Sequence, residues 1–349
     1  MRIDELLRQA REMKASDLHV SVGIPPKCRV NGELVALPCG IIMPNDSKAL
    51  VEQMIPPRMI EKFNEDGEID FSYAARNLGR FRVNVFKQRG ALSFVIRLVN
   101  SKIPSPEQLG LSKEIVDLTK KKRGLVLVTG PTGSGKSTTL ASMIDVINQN
   151  YNKHIITLED PIEYLHNHAK SVVNQREIGF DTQGYAPALR AALREDPDVI
   201  LVGEMRDLDT ISTAITAAET GHLVFSTLHT IGAANTIDRI IDVFPPNQQR
   251  QIAVQLSMVL QAVVSQQLVP STDGRQVPAF EIMTVTPAIR NMISDNKIPQ
   301  IDGLIYSSAN NDLISMDTSL LGLYKDGKIT EETALTYATN PEMLKRRLR

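Results

Sequence analysis

A glycine-rich stretch near the middle of the chain, GPTGSGKST, has the residue types and the spacing that bind phosphate. It matches the pattern G-x-x-x-x-G-K-[ST], which requires a preceding strand and a following helix. The glycines let successive backbone N–H groups turn toward phosphate oxygens, and the helix N-terminus adds a partial positive charge. The predicted nucleotide-binding residues are Gly130, Pro131, Thr132, Gly133, Ser134, Gly135, Lys136, Ser137 and Thr138.

Two side chains of this loop have distinct expected roles. Lys136 is expected to reach the β- and γ-phosphates of ATP, and the hydroxyl of Ser137 is expected to hold Mg²⁺. The sequence therefore predicts an ATP-hydrolysing enzyme with ATP and Mg²⁺ as its cofactors.

Acidic residues follow two apolar runs further along the chain, where an ATPase needs carboxylates for the metal ion and for the attacking water. One run ends at Glu204, which is expected to bind Mg²⁺ through water, and the other ends at Glu159 and Asp160, with Glu163 three residues later. A single acid at a strand end is more often a helix cap or a solvated residue. Two such places after one phosphate loop favour a catalytic role, because the carboxyl ends of parallel strands meet at one edge of a sheet.

Two histidines flank the apolar run in the segment TGHLVFSTLHT. His222 and His229 are an odd number of residues apart, so in one regular strand their side chains would point to opposite faces. His229 stands at the carboxyl end, where ligands of parallel sheets bind, and is expected to sense the γ-phosphate. His222 is equally well explained as a structural residue beside the turn at Gly221.

Arginines alternate with apolar residues in GRFRVNVF, which places the apolar side chains on one face of a strand and Arg80 and Arg82 on the other. The next strand directs Arg97 outward in the same way. A hairpin at residues 88–90 would bring Arg97 opposite Arg80 or Arg82, depending on the register. Opposed like charges are unfavourable, so an anion supplied from elsewhere would relieve them. The alternative is a set of solvated arginines.

The elements that position these residues fall into two groups. Residues 1–100 combine an opening amphipathic helix with short strands and tight turns, which is typical of a small α+β domain with an antiparallel sheet. The proline-containing stretch 101–112 suits a linker. Residues 113–290 alternate buried apolar runs with helices, which predicts an α/β domain with a doubly wound, mostly parallel sheet. Residues 291–349 are expected to be helical, and no further buried strand is predicted beyond Pro287.

Three turns are predicted within the first of these regions. Asn31-Gly32 is the dipeptide favoured by type I′ hairpins, and further turns are expected at Asn77 to Gly79 and at Gln88 to Gly90.

The composition narrows the class of protein. The 349 residues are 42% hydrophobic and 23% charged, as in ordinary globular domains, and the net charge is −1. This balance provides no general attraction to nucleic acid, so no nucleic-acid partner is expected. Cys28 and Cys39 lack the spacing of a zinc site. No apolar stretch approaches the length of a membrane span, so we expect a cytoplasmic protein that contacts the membrane only through partners.

Together these segments resemble the PilT-type ATPases, the retraction motors of bacterial type IV pili within the secretion ATPase superfamily. The resemblance covers essentially the whole chain, and its last segment, Ala288–Ile293, is similar to the AIRNLI motif associated with retraction. The matching segments, in order, are ASDLHVSVGIPP, RVNGEL, GRFRVNVFKQRG, GPTGSGKST, ITLEDPIEY, LREDPDVILVGEMRD, TGHLVFSTLHT and AIRNMI.

The resemblance implies a PAS-like N-terminal domain, a RecA-like C-terminal domain and a homohexameric ring with ATP between subunits. Glu163 would be the general base for water, and Glu204 the acid that acts through Mg²⁺. His229 would belong to the family's histidine box, which His222 opens. The expected partner is the inner-membrane platform protein of the pilus, which would hold the motor peripherally at that membrane.

The resemblance also assigns the arginines. Arg82 and Arg97 would be fingers that an N-terminal domain directs at the γ-phosphate held by a neighbouring subunit. Arg80 and Arg89 would be secondary candidates for the same role. Lys136 would complete the catalytic set from the phosphate loop.

Several alternatives stay open at this point. Pilus-extension and type II secretion ATPases usually carry a long extra N-terminal region and a tetracysteine zinc element, which this sequence does not show, whereas accessory ATPases of the PilU type share most of the motifs. A nucleotide-regulated scaffold is disfavoured by Glu163 and Glu204. A nucleic-acid translocase is disfavoured by the 5% aromatic content and the lack of tryptophan. The order of subunit firing, the step size and the platform protein are not encoded in any recognisable pattern.

Overall fold

The computed structural model describes residues 1–76, 78–99, 102–308, 310 and 312–348. The chain divides into two compact units. The first unit comprises Met1–Lys102 and Glu163–Leu165, and the second comprises Ile103–Ile162 and His166–Arg349.

In the part of the chain that the structure describes, the first unit contains six strands and three α-helices. The strands are β1 (Asp17–Val20), β2 (Lys27–Val30), β3 (Glu33–Ala36), β4 (Glu68–Ala75), β5 (Gly79–Gln88) and β6 (Ala91–Leu98). The helices are α1 (Ile3–Glu12), α2 (Pro44–Glu52) and α3 (Ile60–Asp66), with a short 3₁₀ helix at Pro57–Met59. All strand pairs are antiparallel, in the order β3-β2-β1-β6-β5-β4. The predicted antiparallel sheet of this region is therefore confirmed.

Two of the predicted turns are confirmed by their backbone angles. Asn31 and Gly32 have φ values of 50° and 87°, and Arg89 and Gly90 have φ values of 50° and 76°. Positive φ at both central residues is the requirement of a type I′ turn, whose twist matches that of the flanking strands. The third predicted turn, at Asn77 to Gly79, includes Asn77, which lies outside the described residues.

The core of the first unit follows from the alternation in β5 and β6. Val83 lies directly opposite Ile96, and Val85 directly opposite Phe94, and all four side chains are fully buried. Each such side chain contributes roughly 1.5–3 kcal/mol when it leaves water. Helix α1 covers the sheet with the apolar face that its spacing predicts, made of Ile3, Leu6, Leu7 and Ala10. The register of the two long strands is thus fixed by packing.

The second unit contains eight strands and eleven α-helices among the described residues. The strands are β7 (Gly124–Thr129), β8 (His154–Glu159), β9 (Val172–Glu177), β10 (Val199–Val202), β11 (Leu223–Leu228), β12 (Leu260–Pro270), β13 (Gln276–Thr284) and β14 (Leu313–Ile314). The helices are α4 (Lys113–Asp117), α5 (Lys136–Asn150), α6 (Tyr185–Ala192), α7 (Leu208–Glu219), α8 (Ala233–Asp242), α9 (Pro246–Val259), α10 (Pro287–Ser294), α11 (Pro299–Ser307), α12 (Met316–Lys325), α13 (Glu331–Tyr337) and α14 (Pro341–Leu348).

The sheet of the second unit is mixed and mostly parallel, as predicted. Its order is β14-β13-β12-β7-β11-β10-β8-β9, with parallel pairing from β12 to β9 and antiparallel pairing from β12 to β14. All six residues of β7 are buried. Leu125 and Leu127 pack on one side of the sheet, while Val126 and Val128 pack on the other. Strand β7 is therefore a rigid base for the loop that follows it.

Part of this sheet has no clear signal in the sequence. The prediction that no further buried strand follows Pro287 is wrong, because the two-residue β14, whose Leu313 is buried, extends the antiparallel edge against β13. Strands β9, β12 and β13 were not predicted either. Strand β9 is polar and half-exposed at the sheet edge, and β12 contains three glutamines. Neither strand therefore gives the continuous apolar run that marks a buried strand. Helix α10 runs across residue 290, where the sequence placed a domain boundary.

Candidate nucleotide-binding site

The phosphate loop leaves the end of β7 and enters α5 at Lys136. Gly133 and Gly135 have φ values of 81° and 85°, and Gly130 has a φ of 142°. A Cβ atom on Gly130 would lie 2.1 Å from the backbone carbonyl oxygen of Gln266 in β12. The loop therefore requires glycine at its first position for space as well as for backbone conformation.

Two contacts hold the start of α5 in place. The Lys136 side chain is buried, and its Nζ donates hydrogen bonds to the carbonyl oxygens of Gly130 (2.9 Å) and Pro131 (3.0 Å). Thr139 donates from Oγ1 to Oε1 of Gln266 at 2.8 Å, and both of these residues are buried. No sequence motif indicates a role for Gln266. It now emerges as the residue that joins the first turn of α5 to β12.

Glu204, the acid that follows β10, has two neighbouring side chains that can donate hydrogen bonds to it. Oε1 of Glu204 accepts from Nε of Arg206 at 2.6 Å and lies 3.0 Å from Nε2 of His229. The Glu204 side chain is 16% exposed, and its hydrogen bond raises the pKa of the Arg206 guanidinium above the usual arginine range. Among the described residues, Oε2 of Glu204 makes no hydrogen bond. One carboxylate oxygen is therefore fixed, and the other is available to a further ligand.

His229 connects this acid to the phosphate loop. A carboxylate has no hydrogen to donate, so Nε2 of His229 carries the proton, and in the neutral imidazole Nδ1 is then the acceptor. Nδ1 lies 3.5 Å from Oγ1 of Thr132, whose hydroxyl is the donor to it. His229 and Glu204 both follow the carboxyl ends of parallel strands, as the sequence predicts, and the structure shows that these two strands are neighbours. The structure thus brings together Thr132, Glu204 and His229 at the carboxyl edge of the sheet.

The side chain of His222, at the opposite end of the same strand, makes only local hydrogen bonds among the described residues. Its Nδ1 lies 2.9 Å from the carbonyl oxygen of Ala217 and 3.2 Å from Oγ1 of Thr220. These groups belong to the C-terminal end of α7 and the turn after it. This arrangement corresponds to the structural alternative considered for His222.

Two further acids, Glu159 and Asp160, lie at the end of β8. Oε1 of Glu159 accepts from Nε2 of Gln175 at 3.0 Å. Burial, followed by the charges of Asp160, Glu204 and Glu159, raises the pKa of the Tyr185 phenol, which therefore stays protonated among these carboxylates. Neither Gln175 nor Tyr185 has a recognisable signal in the sequence.

Glu163 is placed differently from the other acids. It is exposed, lies in an irregular stretch after β8, and belongs to the first unit with the two residues that follow it. The role of Glu163 as a general base stays a prediction.

The predicted arginine pair lies on the first unit. The register of β5 and β6 places Arg82 directly opposite Arg97, which decides between the two registers that the sequence allowed. Both side chains are exposed, and Arg89 occupies the hairpin turn. The sequence predicts that an anion from elsewhere relieves the two charges. The structure shows that part of this relief is internal, because Nε of Arg97 donates to Oδ1 of Asp17 at 3.1 Å.

The AIRNMI segment forms α10 and closes the end of another helix. Ile289 and Ile293 are fully buried, and Met292 packs against the same core. Arg290 donates from Nη1 to the carbonyl oxygens of Ser257 (2.6 Å) and Met258 (2.7 Å) in the last turn of α9. These carbonyls have no partner within their own helix, so Arg290 acts as a C-terminal cap.

The donor set of the site suits a hard cation. The Ser137 hydroxyl is exposed in the first turn of α5, and Oε2 of Glu204 is a second oxygen donor of the kind that Mg²⁺ prefers. Within the described ranges, no group of three or more His, Cys, Asp or Glu side chains forms a metal cage by itself. A magnesium ion here would need oxygens from the nucleotide, as in other phosphate-loop enzymes.

No helix in the described part of the chain is long and apolar enough to span a membrane.

Comparison with known proteins agrees with this geometry. The type II/IV secretion system protein family matches residues 2–300. The chain is 47% identical over 342 residues to the type IV pilus retraction ATPase PilT of Pseudomonas aeruginosa, covering 98% of this chain and 99% of that protein. It is 44% identical over 320 residues to the twitching motility protein of Neisseria gonorrhoeae, covering 91% and 86%.

A solved structure gives the same result. The crystal structure of the pilus retraction motor PilT with bound ADP superposes with a TM-score of 0.92 at 49% identity, over 99% of each chain. Its α/β fold, with an antiparallel N-terminal sheet and a mostly parallel second sheet, corresponds to the fold described above. The chain therefore belongs to the type II/IV secretion system protein family, as a member of its PilT-type group of pilus retraction ATPases.

Proposed function

We propose that this PilT-like pilus retraction ATPase powers twitching motility as a homohexameric motor, in which ATP closes the seam between two subunits and hydrolysis opens it. One observation carries the proposal. Arg82 and Arg97 stand directly opposite each other on an exposed face of the first unit, whereas the phosphate loop belongs to the second unit. Two like charges held in register favour an anion, and the γ-phosphate on a neighbouring subunit is an anion of the right shape.

The second unit binds and activates the nucleotide in this proposal. The loop N–H groups and Lys136 hold the β- and γ-phosphates, and Ser137 and Oε2 of Glu204 are the groups that would hold Mg²⁺ and its water. The ion would neutralise charge that develops on the phosphate oxygens. Arg206 and His229 hold the other oxygen of Glu204, which keeps the carboxylate oriented. Glu163 would accept the proton of the attacking water.

His229 would report the state of the γ-phosphate. Its imidazole lies between Thr132 in the phosphate loop and the carboxylate of Glu204. A movement of Thr132 when nucleotide binds would therefore shift the imidazole and change its hydrogen bond to Glu204. In this way the loop and the acid respond to the same ligand.

The energy needed for seam closure is within reach of these contacts. A shift of the open-to-closed ratio from 1:99 to 99:1 requires a differential affinity of about 5.5 kcal/mol. A hydrogen bond to a charged group contributes roughly 1.5–3 kcal/mol. Two arginines would supply that difference if each forms a bidentate contact with phosphate only when the seam is closed.

The remaining features of the assembly are part of the same proposal. Residues 1–100 would form a PAS-like domain and residues 113–290 a RecA-like ATPase domain, with 101–112 as the linker and 291–349 as a helical region. The motor would act on the cytoplasmic side of the inner membrane, where its partner would be the platform protein of the pilus. It would need neither nucleic acid nor direct insertion into the membrane.

Mixed rings test whether the site is shared. Lys136→Ala disables the second unit and Arg82→Ala disables the first, so each variant alone should be inactive. In rings formed from an equal mixture, about a quarter of the seams would combine an intact second unit with an intact first unit, and ATPase activity should partly return. The matched control mixes Lys136→Ala with Glu204→Gln, in which every second unit is defective. Equal activity of the two mixtures, in rings of confirmed size, would overturn the shared site.

A further inference from the structure

We propose that Asp17 is the positioning residue that orients Arg97 toward phosphate. The inference rests on the proposed function, in which Arg97 serves the site of a neighbouring subunit. Asp17 is far from Arg97 in the sequence, and the strand β1 brings the two together. No role for Asp17 follows from the nucleotide-binding motifs.

Cross-strand pairing places four charged residues in one row. Asp17 lies directly opposite Arg29 in β2 on one side and directly opposite Arg97 in β6 on the other. Arg97 in turn lies directly opposite Arg82 in β5. Directly opposed residues share one face of a sheet, so the row runs Arg29, Asp17, Arg97, Arg82 across four strands. Asp17 is its single negative charge.

The contact between Asp17 and Arg97 has a specific geometry. Oδ1 of Asp17 accepts from Nε of Arg97 at 3.1 Å, and the hydroxyl of Ser16 donates to Oδ2 at 2.8 Å. The Asp17 side chain is 12% exposed, whereas that of Arg97 is 70% exposed. A carboxylate fixed at both oxygens therefore holds the inner part of an otherwise exposed guanidinium.

This geometry leaves the outer part of the guanidinium available. Nη1 and Nη2 of Arg97 make no hydrogen bond to any residue that the structure describes, since the contact with Asp17 uses Nε alone. The two terminal nitrogens of arginine form the fork that binds phosphate in a bidentate manner. Asp17 therefore restrains Arg97 without occupying the nitrogens that phosphate would use.

Electrostatics gives Asp17 a second effect on the pair. Arg82 repels Arg97 from the adjacent strand, and side chains that are free to rotate would diverge. The negative charge of Asp17 on the opposite side offsets this repulsion and draws Arg97 back into the row. Without Asp17 the two arginines would lose the common orientation that a single phosphate requires.

A double-mutant cycle tests the inference on the full-length protein. Steady-state ATPase assays compare wild type, Asp17→Asn, Arg97→Gln and the double variant, with ADP affinity and melting temperature as further readouts. Asp17→Asn should lower kcat by about two- to fivefold, the range that a partly exposed ion pair supplies, and leave ADP affinity unchanged. The same substitution should have no effect when Arg97 is already Gln, because Asp17 acts through that side chain.

Asp70→Asn is the matched control. Asp70 lies on the same face of the sheet and accepts from Nδ2 of Asn84 at 3.3 Å, but it does not belong to the arginine row. This control should keep the wild-type kcat. Asp17→Glu, which retains the charge, should be more active than Asp17→Asn. Asp17→Ser replaces Asp17→Asn if the latter does not form rings.

The outcomes separate this inference from the proposed function. Wild-type kcat in Asp17→Asn, or an equal loss with and without Arg97, would overturn the role of Asp17 while leaving the shared site intact. Full activity of Arg97→Gln would instead remove the finger role of Arg97, and the inference with it. Loss of activity that simply follows a lower melting temperature would assign Asp17 to folding.

Discussion

Substitution of the first glycine of the phosphate loop tests how closely β12 supports the nucleotide site. In Gly130→Ala the new Cβ would lie 2.1 Å from the backbone oxygen of Gln266 and 2.8 Å from Oγ of Ser134. Real Cβ atoms essentially never come within 3.0 Å of another heavy atom, so the loop or the strand would have to move by about 0.9 Å. Gly133→Ala is the matched control, because its Cβ has no neighbour within 4 Å.

The expected costs differ by a calculable amount. Both glycines have positive φ, so both substitutions should incur a backbone strain of roughly 1–2 kcal/mol. Gly130→Ala adds an overpacking cost of roughly 1–3 kcal/mol. Gln266 is paired with Phe280 on one side, and the residue before it with Thr129 on the other, so β12 cannot shift without disturbing both ladders. A movement of the loop instead would displace the Gly130 carbonyl that binds Lys136.

Two measurements decide the matter. Thermal unfolding should show a midpoint that falls further for Gly130→Ala than for Gly133→Ala, at about 2–4 °C for each kcal/mol of difference. Equilibrium binding of a fluorescent ADP analogue should be weaker in Gly130→Ala than in the control. Equal midpoints and equal ADP affinities of the two variants would refute the argument that Gln266 limits the space at Gly130.

Two further predictions concern the second unit. Arg290→Met keeps the length of the side chain but removes both hydrogen bonds to the end of α9, so the free energy of unfolding should fall by about 1–3 kcal/mol. Chemical denaturation measures this change, and Arg250→Met at an exposed position of α9 is the control. An equal effect of the two variants would contradict the role of Arg290 as a cap. Burial lowers the pKa of His166 to about 4 from its usual 6.5, so the unfolded chain takes up a proton that the folded chain does not as the pH falls through this window. The free energy of unfolding should therefore decrease by about 3 kcal/mol between pH 6.5 and pH 4, and His166→Gln should remove that part of the pH dependence. Identical pH profiles of the variant and the wild type would show that His166 is not the group responsible.

The sequence predicted those parts of the site that lie within one local pattern. The phosphate loop combines an apolar strand, glycines and a helix start in seventeen residues, and the structure places all of these as expected. The alternation in GRFRVNVF likewise predicted which side chains of β5 are buried and which are exposed. Such patterns depend on the period of one element and not on its neighbours.

Contacts between distant segments could not be predicted in this way. Asp17 meets Arg97 only because β1 pairs with β6, and no local pattern indicates that these two strands are neighbours. Gln266 supports the phosphate loop from β12, and the polar residues of this strand interrupt the apolar run that would have predicted it. Arg206 was visible two residues after Glu204, but its role depends on the direction in which the chain turns after β10. Tertiary pairing therefore decided what local periodicity left open.

The strand register of the first sheet determines both which apolar side chains are buried and where the charged side chains lie. Side chains alternate along β6, so a slip of one position against β5 would carry Arg97 into the apolar interior and turn Phe94 and Ile96 toward water. Mispaired chains would thus lose several kcal/mol of apolar burial and have to bury a guanidinium. When the apolar core of this unit forms in the correct register, Arg82 and Arg97 are therefore aligned at the same time. Errors in this alignment are consequently eliminated as folding errors, before any nucleotide is encountered.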